Sequence, residues 1–504
     1  MNRPSILFIT TDEQHLNTVY RSDMPYQLPG LRGLMACSDV YEQAYSVSPV
    51  CLPARCTWMT GLLPHHSGCI SNHFGASLPL SLPNLFTCLK QQGYSTSMHG
   101  KCHFIPCPYP ATRRDLTQDY EPFIHYYQSL GMDHLDLQDD KNNSMWYFDH
   151  YSKEMEQKGL LKEYRERFHG LQKKGPAEYP HAKETHPDSW TGQKALDYLS
   201  HCCADHPHFM WVSFSGPHYP MDAPTDYENL IDMKKDIPRV WREDEWDDES
   251  KHGRMGYFGT GPCTEGCAGA KDKASRNYDE HYWTWWRRRY YANIVQIDSF
   301  IQQIIEKATA IWGENLCIIF TSDHGDMMGN HSLWGKNNVL YDDVLRVPLI
   351  IHRPGQTTRR TLSQRVSSVD VFPTILQMGG CMVPVDIDGK PLDELTSGAG
   401  REIILSACEG RLALIKGNMK LCVNSSGPDS RMYHELYDLR SDPDEFINLY
   451  YDPAYAAVID EMEKWLNQEP WLLKTVFYNH NNDKPYWFNA GNGSGYAYNG
   501  LHPR

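Results

Sequence analysis

Long hydrophobic runs are missing from this chain of 504 residues. No stretch approaches the roughly 18 consecutive apolar residues of a membrane-spanning helix, so no membrane partner is expected. The opening Met1-Asn2-Arg3-Pro4 runs straight into Ile6-Leu7-Phe8-Ile9. That apolar stretch is too short for a leader core and no cleavage site follows it, so a cytoplasmic location is expected, with secretion only if a leader precedes this chain. A surplus of positive charge is missing as well. The formal net charge of −15 argues against a nucleic-acid partner, yet a local basic pocket can still oppose the global field and admit an anionic small substrate. A disulfide framework is not evident: the 15 cysteines are odd in number and scattered, and Cys202 and Cys203 are adjacent, a pattern that suits reduced thiols. Cys263-x-x-x-Cys267 has the spacing of half a zinc site, but no second Cys/His pair of suitable spacing follows it. With 40% hydrophobic and 22% charged residues, the chain is otherwise of ordinary globular composition and long enough for more than one domain.

What is present is organised around Ser48-Pro49-Val50-Cys51-Leu52-Pro53-Ala54-Arg55, followed closely by Thr60-Gly61. A cysteine before a helix is commonly a small buried hydrophobe. Here Pro53 suits the first turn of a helix, where its missing N–H costs nothing. That places Cys51 at a helix N-terminus, facing free N–H groups and the positive end of the dipole, with Arg55 one turn on as a fixed positive fork. An anion such as sulfate or phosphate would sit well there.

The other notable residues follow expected strands. Ile6–Ile9 ends in Asp12-Glu13, an acidic pair suited to a metal or, for Asp12, to a helix cap. Tyr94–Met98 ends in His99-Gly100-Lys101-Cys102-His103, which reads as a solvated loop or as a site segment. The apolar strand Phe209–Phe214 leads to Pro217-His218-Tyr219-Pro220, where a histidine between prolines is rigidly held. Leu316–Phe320 ends in Ser322-Asp323-His324-Gly325-Asp326, a metal-type pair followed by a glycine for a tight turn, and Gly335-Lys336 comes after it. Asn72 is either a turn residue or a pocket residue. Ile294, Ile297, Ile301, Ile304, Ile305 and Ala308 mark an amphipathic helix. Ahead of it, the run Tyr282–Tyr290 either stacks on sugar rings, with Arg288 and Arg289 pairing anionic groups, or packs on the core. Trp241–Glu249 reads as a solvated charged face.

The spacing Cys51-x-Pro53-x-Arg55, with Gly100-Lys101-x-His103, Pro217-His218-x-Pro220, the run Ser322-Asp323-His324-Gly325 to Lys336, and Tyr437–Glu445, resembles type I sulfatases of the alkaline phosphatase superfamily. The resemblance implies a large mixed β-sheet sandwiched by helices, with a smaller C-terminal α+β subdomain. It implies that a maturation enzyme oxidises Cys51 to formylglycine. Cys51, Arg55, Lys101, His103, His218 and Lys336 would then be catalytic, and Asn72, Lys101, His218 and Lys336 would contact substrate. Asp12, Glu13, Asp323, His324 and residue 51 would hold one divalent metal. In this family Glu13 stands where the second carboxylate is usually Asp, and His324 where many relatives have Asn. Ca²⁺ is expected on the carboxylates, with Mn²⁺ or Zn²⁺ as the alternatives that His324 raises.

The expected organisation is a catalytic α/β domain over 1–385, with insertions at about 110–200 and 222–290, then a C-terminal subdomain over 386–504 with a small antiparallel sheet, a helix and a tail. No chemistry is legible in the first insertion. The tail is expected to fold over the site or to meet a second subunit. The expected activity is hydrolysis of the sulfate ester of a carbohydrate, a glycosaminoglycan fragment or sulfated amino sugar. Two other readings are a phosphonate or phosphate ester hydrolase of the same superfamily and a non-catalytic glycan binder. Gly100-Lys101-x-His103 favours the sulfatase over the first, and the intact set Cys51, Arg55, Asp323 and Lys336 argues against the second.

Overall fold

The computed structural model describes residues 3–72, 77–105, 118–119, 121–141, 147–174, 178–245, 250, 278–336, 339–408, 411–424 and 434–468. Cys263-x-x-x-Cys267 and the tail beyond about 470 lie outside them, as does the end of the charged run at 241–249.

Alternation along three strands explains the architecture. In β1 (Ser5–Asp12), Ile6 and Phe8 enter one core while Leu7 and Ile9 enter another. The same split runs through β7 (His208–Pro217), with Phe209 and Trp211 against Met210 and Val212. It recurs in β8 (Leu316–Ser322), with Cys317 and Ile319 against Ile318 and Phe320. Successive strand residues face opposite sides, so a strand apolar at every position must be covered on both. Helices Cys51–Thr60, Leu85–Gln91 and Val371–Met378 pack into one core, and Pro29–Ala36 and Glu280–Trp312 into the other.

The remaining strands are β2 (Asp39–Tyr45), β3 (Ser95–Gly100), β4 (Gln118–Asp119), β5 (His134–Leu137), β6 (Tyr147–Phe148), β9 (Leu349–His352) and β10 (Arg360–Ser367), then β11 (Ile403–Cys408), β12 (Arg411–Lys416), β13 (Met419–Asn424) and β14 (Glu435–Asp438). Eight form the main sheet in the order β10-β2-β9-β8-β1-β7-β3-β5, while β4 and β6 pair with each other. Every pairing in the main sheet is parallel except the two made by β9. The carboxyl ends of β1, β2, β3, β5, β7 and β8 therefore share one edge, where an open α/β sheet collects its ligands.

At that edge β3 comes very close to β7. Gly100 has φ +98°, and a Cβ there would lie 2.0 Å from Ser213 O. Only glycine fits. Lys101 N then donates to Ser213 O at 2.9 Å, which starts the next segment in the site.

Strands β11 to β14 form a separate antiparallel sheet. Leu412, Leu414, Leu421 and Leu436 meet Met462 and Leu466 of helix Ala456–Asn467. Ala413, Ile415 and Cys422 pack instead with Tyr45, Leu340 and Leu345 of the main body. Ala407 N donates to Val47 O at 2.8 Å, tying this sheet to the stretch that leads into Cys51.

The run Tyr282–Tyr290, one of whose readings was a sugar-stacking surface, belongs to a continuous helix, Glu280–Trp312, capped by the Asp279 side chain on Tyr282 N. Trp283, Trp286 and Tyr290 are buried. Arg287 pairs with Asp236 at 2.6 Å and Arg289 with Glu228 at 3.0 Å, while Arg288 donates to Glu228 O at 3.2 Å. These aromatics are core, and the three arginines are bonded within the protein.

Candidate active site

Cys51 opens a ten-residue helix, Cys51–Thr60, every residue of which is buried. Val50, extended at φ −130°, precedes it, and Gly61 closes it in the left-handed conformation. Pro53 lies in the first turn, where it breaks no intrahelical bond. Asn72 Oδ1 accepts from Leu52 N at 2.9 Å, and its Nδ2 lies 3.7 Å from Cys51 Sγ. Asn72 therefore both satisfies the helix start and touches residue 51. Ser46 Oγ donates to Asp323 O at 2.5 Å, anchoring the approach to Cys51 onto the end of β8.

Asp12, Cys51, Asp323 and His324, all buried, each present a ligand atom within 4.8 Å of the others. Cys51 Sγ lies 3.2 Å from His324 Nε2 and 3.5 Å from Asp12 Oδ1. His324 Nδ1 is 3.0 Å from Gly325 O. A proton held there leaves Nε2 as the free donor atom facing the cluster, the arrangement metal-binding histidines usually adopt. Asp323 Oδ1 accepts from Glu13 N at 3.0 Å and His324 N at 2.9 Å, while Arg55 Nε donates to Oδ2 at 2.7 Å. The donor set fits a divalent cation. Its four buried side chains bring two carboxylates, an imidazole nitrogen and residue 51 together, donor types that hold such an ion.

Two placements differ from the sequence expectation. Glu13, counted there with the metal ligands, lies outside the cluster of four. Its left-handed φ of 65° takes it out of the strand's alternation. Its Oε2 meets Lys336 Nζ and His218 Nε2, each at 3.2 Å. Burial, with Asp326 and Asp12 nearby, pushes its carboxyl well above the usual range despite Lys336. Arg55 does not offer an open fork either. Besides Asp323 it donates through Nη1 to Lys101 O at 3.0 Å and Ser213 Oγ at 2.8 Å, and Nη2 has no partner among the described residues. It positions Asp323 and the segment after β3.

Lys101, fully buried, ion-pairs with Asp12 and with Asp140, the latter at 2.5 Å. Burial alone would lower its pKa, but those two carboxylates hold it well above the usual lysine value. His103 N donates to Asp139 Oδ1 at 2.7 Å. Burial and then Lys101 push the His103 ring well below its ordinary value. His218 N donates to Asp12 O at 3.1 Å. The His218 ring places Nδ1 2.7 Å from Tyr219 O and Nε2 2.8 Å from Lys336 Nζ. Burial first, then Lys336, lower His218 to about 3, so at neutral pH it is an uncharged acceptor for the Lys336 ammonium.

All of Asp12, Cys51, Asn72, Lys101, His218, Asp323, His324 and Lys336 thus join one bonded network, with His103 beside it. Asp140 was missed. It clusters with Asp12 and His218 as well as with Lys101. It follows β5, whose sequence His-Leu-Asp-Leu is too polar to announce a strand. The signal was the acidic pair Asp139-Asp140 just beyond that short alternation, the same strand-end rule that located Asp12. The long helix contributes too: His15 N donates to Tyr290 OH at 2.9 Å, and Tyr290 OH donates to Glu13 O, fixing the loop after β1.

The sequence model of the family described as Sulfatase matches residues 4–381. Among named proteins, the chain is 28% identical over 478 residues to the sulfatase YidJ of Escherichia coli K12, covering 92% of this chain and 86% of that protein. It is 27% identical to the choline-sulfatase of Rhizobium meliloti, covering 90% of this chain and 83% of that one. Among solved structures, the phosphonate monoester hydrolase of Agrobacterium radiobacter superposes with a TM-score of 0.73 at 20% identity, covering 94% of this chain and 97% of the other, which establishes a shared fold.

Proposed function

The chain belongs to the sulfatase family, whose members hydrolyse sulfuric esters, and from that premise we propose that it releases sulfate from a sulfated carbohydrate, a glycosaminoglycan fragment or sulfated amino sugar, with formylglycine made from Cys51 as nucleophile. The observation that carries the proposal is the position of residue 51. Its side chain sits at the buried start of a helix and inside the cluster Asp12, Asp323 and His324, so a nucleophile there would be within the field of a bound cation. A maturation enzyme is the partner this requires.

Asp12, Asp323, His324 and residue 51 would hold the divalent ion, which offsets the negative charge of the sulfate when bound. With an imidazole nitrogen and only two carboxylates in the cluster, Mn²⁺ or Zn²⁺ suits it better than the Ca²⁺ expected from sequence. Formylglycine supplies, once hydrated, one hydroxyl to attack sulfur and a second whose deprotonation releases the sulfate. The protein's own side chains do the rest. Lys101 and Lys336 are preorganised cations for the sulfate oxygens, held by Asp12 and Asp140 and by Glu13 respectively. Lys336 carries the proton for the leaving oxygen, and neutral His218 keeps it aimed through Nε2. His103, also uncharged, is the base for the second hydroxyl. Asn72 Nδ2, 3.7 Å from Cys51 Sγ, offers a polar group beside residue 51 for a hydroxyl-rich leaving group.

The test is to co-produce the protein with a maturase and measure release from sulfated monosaccharides, glycosaminoglycan disaccharides and phosphonate monoesters. Sulfate release from at least one sugar should exceed turnover of every phosphonate in kcat/KM. A preference for phosphonate or phosphate esters over all the sulfated sugars would overturn the reading.

A further inference from the structure

The cysteines and histidines that lead from helix Pro187–Leu199 into the first residue of β7 form a group that the proposed chemistry does not use. The segment reads His201-Cys202-Cys203-Ala204-Asp205-His206-Pro207-His208. It lies at the amino end of β7, so the ten residues of that strand put it about 30 Å from the carboxyl edge that holds Cys51. Cys203, His206 and His208 each present a ligand atom within 4.8 Å of the other two.

We propose that Cys203, His206 and His208 form a second metal site that takes Zn²⁺. Several features point to a ligand rather than to a chance gathering of polar side chains. Cys203 Sγ is 4.0 Å from His206 Nδ1. Donors around zinc stand about 3.3–3.8 Å apart at normal bond lengths, so closing these three takes shifts of less than about 1.5 Å. His206 Nε2 is 2.8 Å from Ser95 Oγ. Ser95 Oγ is the outer partner that an Nε2–H needs when Nδ1 is the ligand atom, and such partners are the usual companions of zinc-bound histidines. Asp205 Oδ1 lies 2.6 Å from His206 Nδ1 and 2.7 Å from Cys203 Sγ and accepts the protons of both, holding side by side the two donor atoms from which a bound ion would displace those protons.

His208 is the buried member. It is 5% exposed, its ring stacks on Trp312 at 5.4 Å, and its Nε2 has no hydrogen-bond partner among the described residues. The rings of His206 and His208 are 4.4 Å apart at 34°. Cys202 Sγ lies 3.9 Å from His208 Nδ1 and adds a second sulfur at the margin. Cys203 and Asp205 are exposed, which gives an ion a route in. One thiolate with two imidazoles is a soft to borderline donor set that selects zinc over calcium or magnesium.

The test uses the full chain, stripped of metal and then dialysed against Zn²⁺, as wild type and as the double variant Cys203→Ser, His206→Gln. Both substitutions are at accessible positions, and the buried His208 is left in place. Wild type should bind one more zinc per chain than the double variant, while turnover of a small aryl sulfate should be equal in the two. Loss of a direct ligand should weaken zinc binding by more than the about 10–100-fold typical of outer-shell partners. A second readout is Co²⁺ added to the metal-free protein. A thiolate-to-cobalt absorption band should survive Cys51→Ala and vanish in Cys203→Ser. Equal zinc content in wild type and double variant, or a band that survives Cys203→Ser, would overturn the proposal.

Discussion

Lys336 shows how single residues divide the work. Its ammonium bonds His218 Nε2 at 2.8 Å and Glu13 Oε2 at 3.2 Å, and burial keeps His218 neutral. If Lys336 protonates the leaving oxygen, Lys336→Met should lower kcat on a sulfated sugar by about 10²–10⁴-fold. An aryl sulfate with an acidic phenol needs little protonation and should lose much less. An equal loss on both substrates in steady-state kinetics would mean that Lys336 acts on the sulfate and not on the leaving group. Asp140 is the residue the sequence reading left out. It holds Lys101 together with Asp12, so Asp140→Asn, which keeps the shape, should cost about 10–100-fold in kcat/KM with metal content unchanged. Unaltered kinetics would show Lys101 to be positioned by Asp12 alone. Side-chain direction is what the sequence withheld at this scale. Asp12 and Asp323 could be read from the apolar strands before them, but the φ of 65° that sends Glu13 toward Lys336 has no local signature.

At the scale of elements, the long helix Glu280–Trp312 corrects the expectation of a sugar platform. Its buried aromatics Trp283, Trp286 and Tyr290 continue, at steps of three and four, into Ile294, Ile297, Ile301 and Ile304. That single stripe was legible by helical periodicity. It was obscured because three arginines in a row resemble an anion site, and their partners, Asp236 and Glu228, come from a distant segment. Trp283→Ala should therefore destabilise the protein by about 3–5 kcal/mol in denaturant unfolding. Residual activity should fall by the same factor for a sulfated sugar and a small aryl sulfate. A raised KM for the sugar alone would restore the platform. The strands were the more readable elements: β1, β7 and β8 are apolar on both faces and declare themselves, whereas β5, with a half-buried alternation of four residues, does not.

For the whole molecule, the main sheet gathers residues from Asp12 to Lys336 at one edge of a chain whose formal net charge is −15. The sheet order itself, with its lone antiparallel β9, is set by long-range packing and is not written in any local segment. Burial on this scale also affects stability. His99 is fully buried, and burial outweighs its bond to Asp136 so that its pKa is lowered. The unfolded chain then binds a proton that the folded one refuses below the usual histidine pKa of about 6.5. The contribution of His99 is present in full above that pH and lost as pH falls below it. His99→Gln should thus flatten the decline of the urea midpoint between neutral and acid pH. A decline of the same steepness in both proteins would mean that His99 titrates normally.

The most direct test of the central claim joins two readings on one sample: the mass of the peptide containing Cys51 and the turnover of a sulfate ester. Protein made with a maturase should carry the mass of an aldehyde in place of the thiol-bearing side chain and should turn over in proportion to the modified fraction, while Cys51→Ala should be inactive. Full turnover by a chain whose residue 51 remains cysteine, or is alanine, would contradict the account.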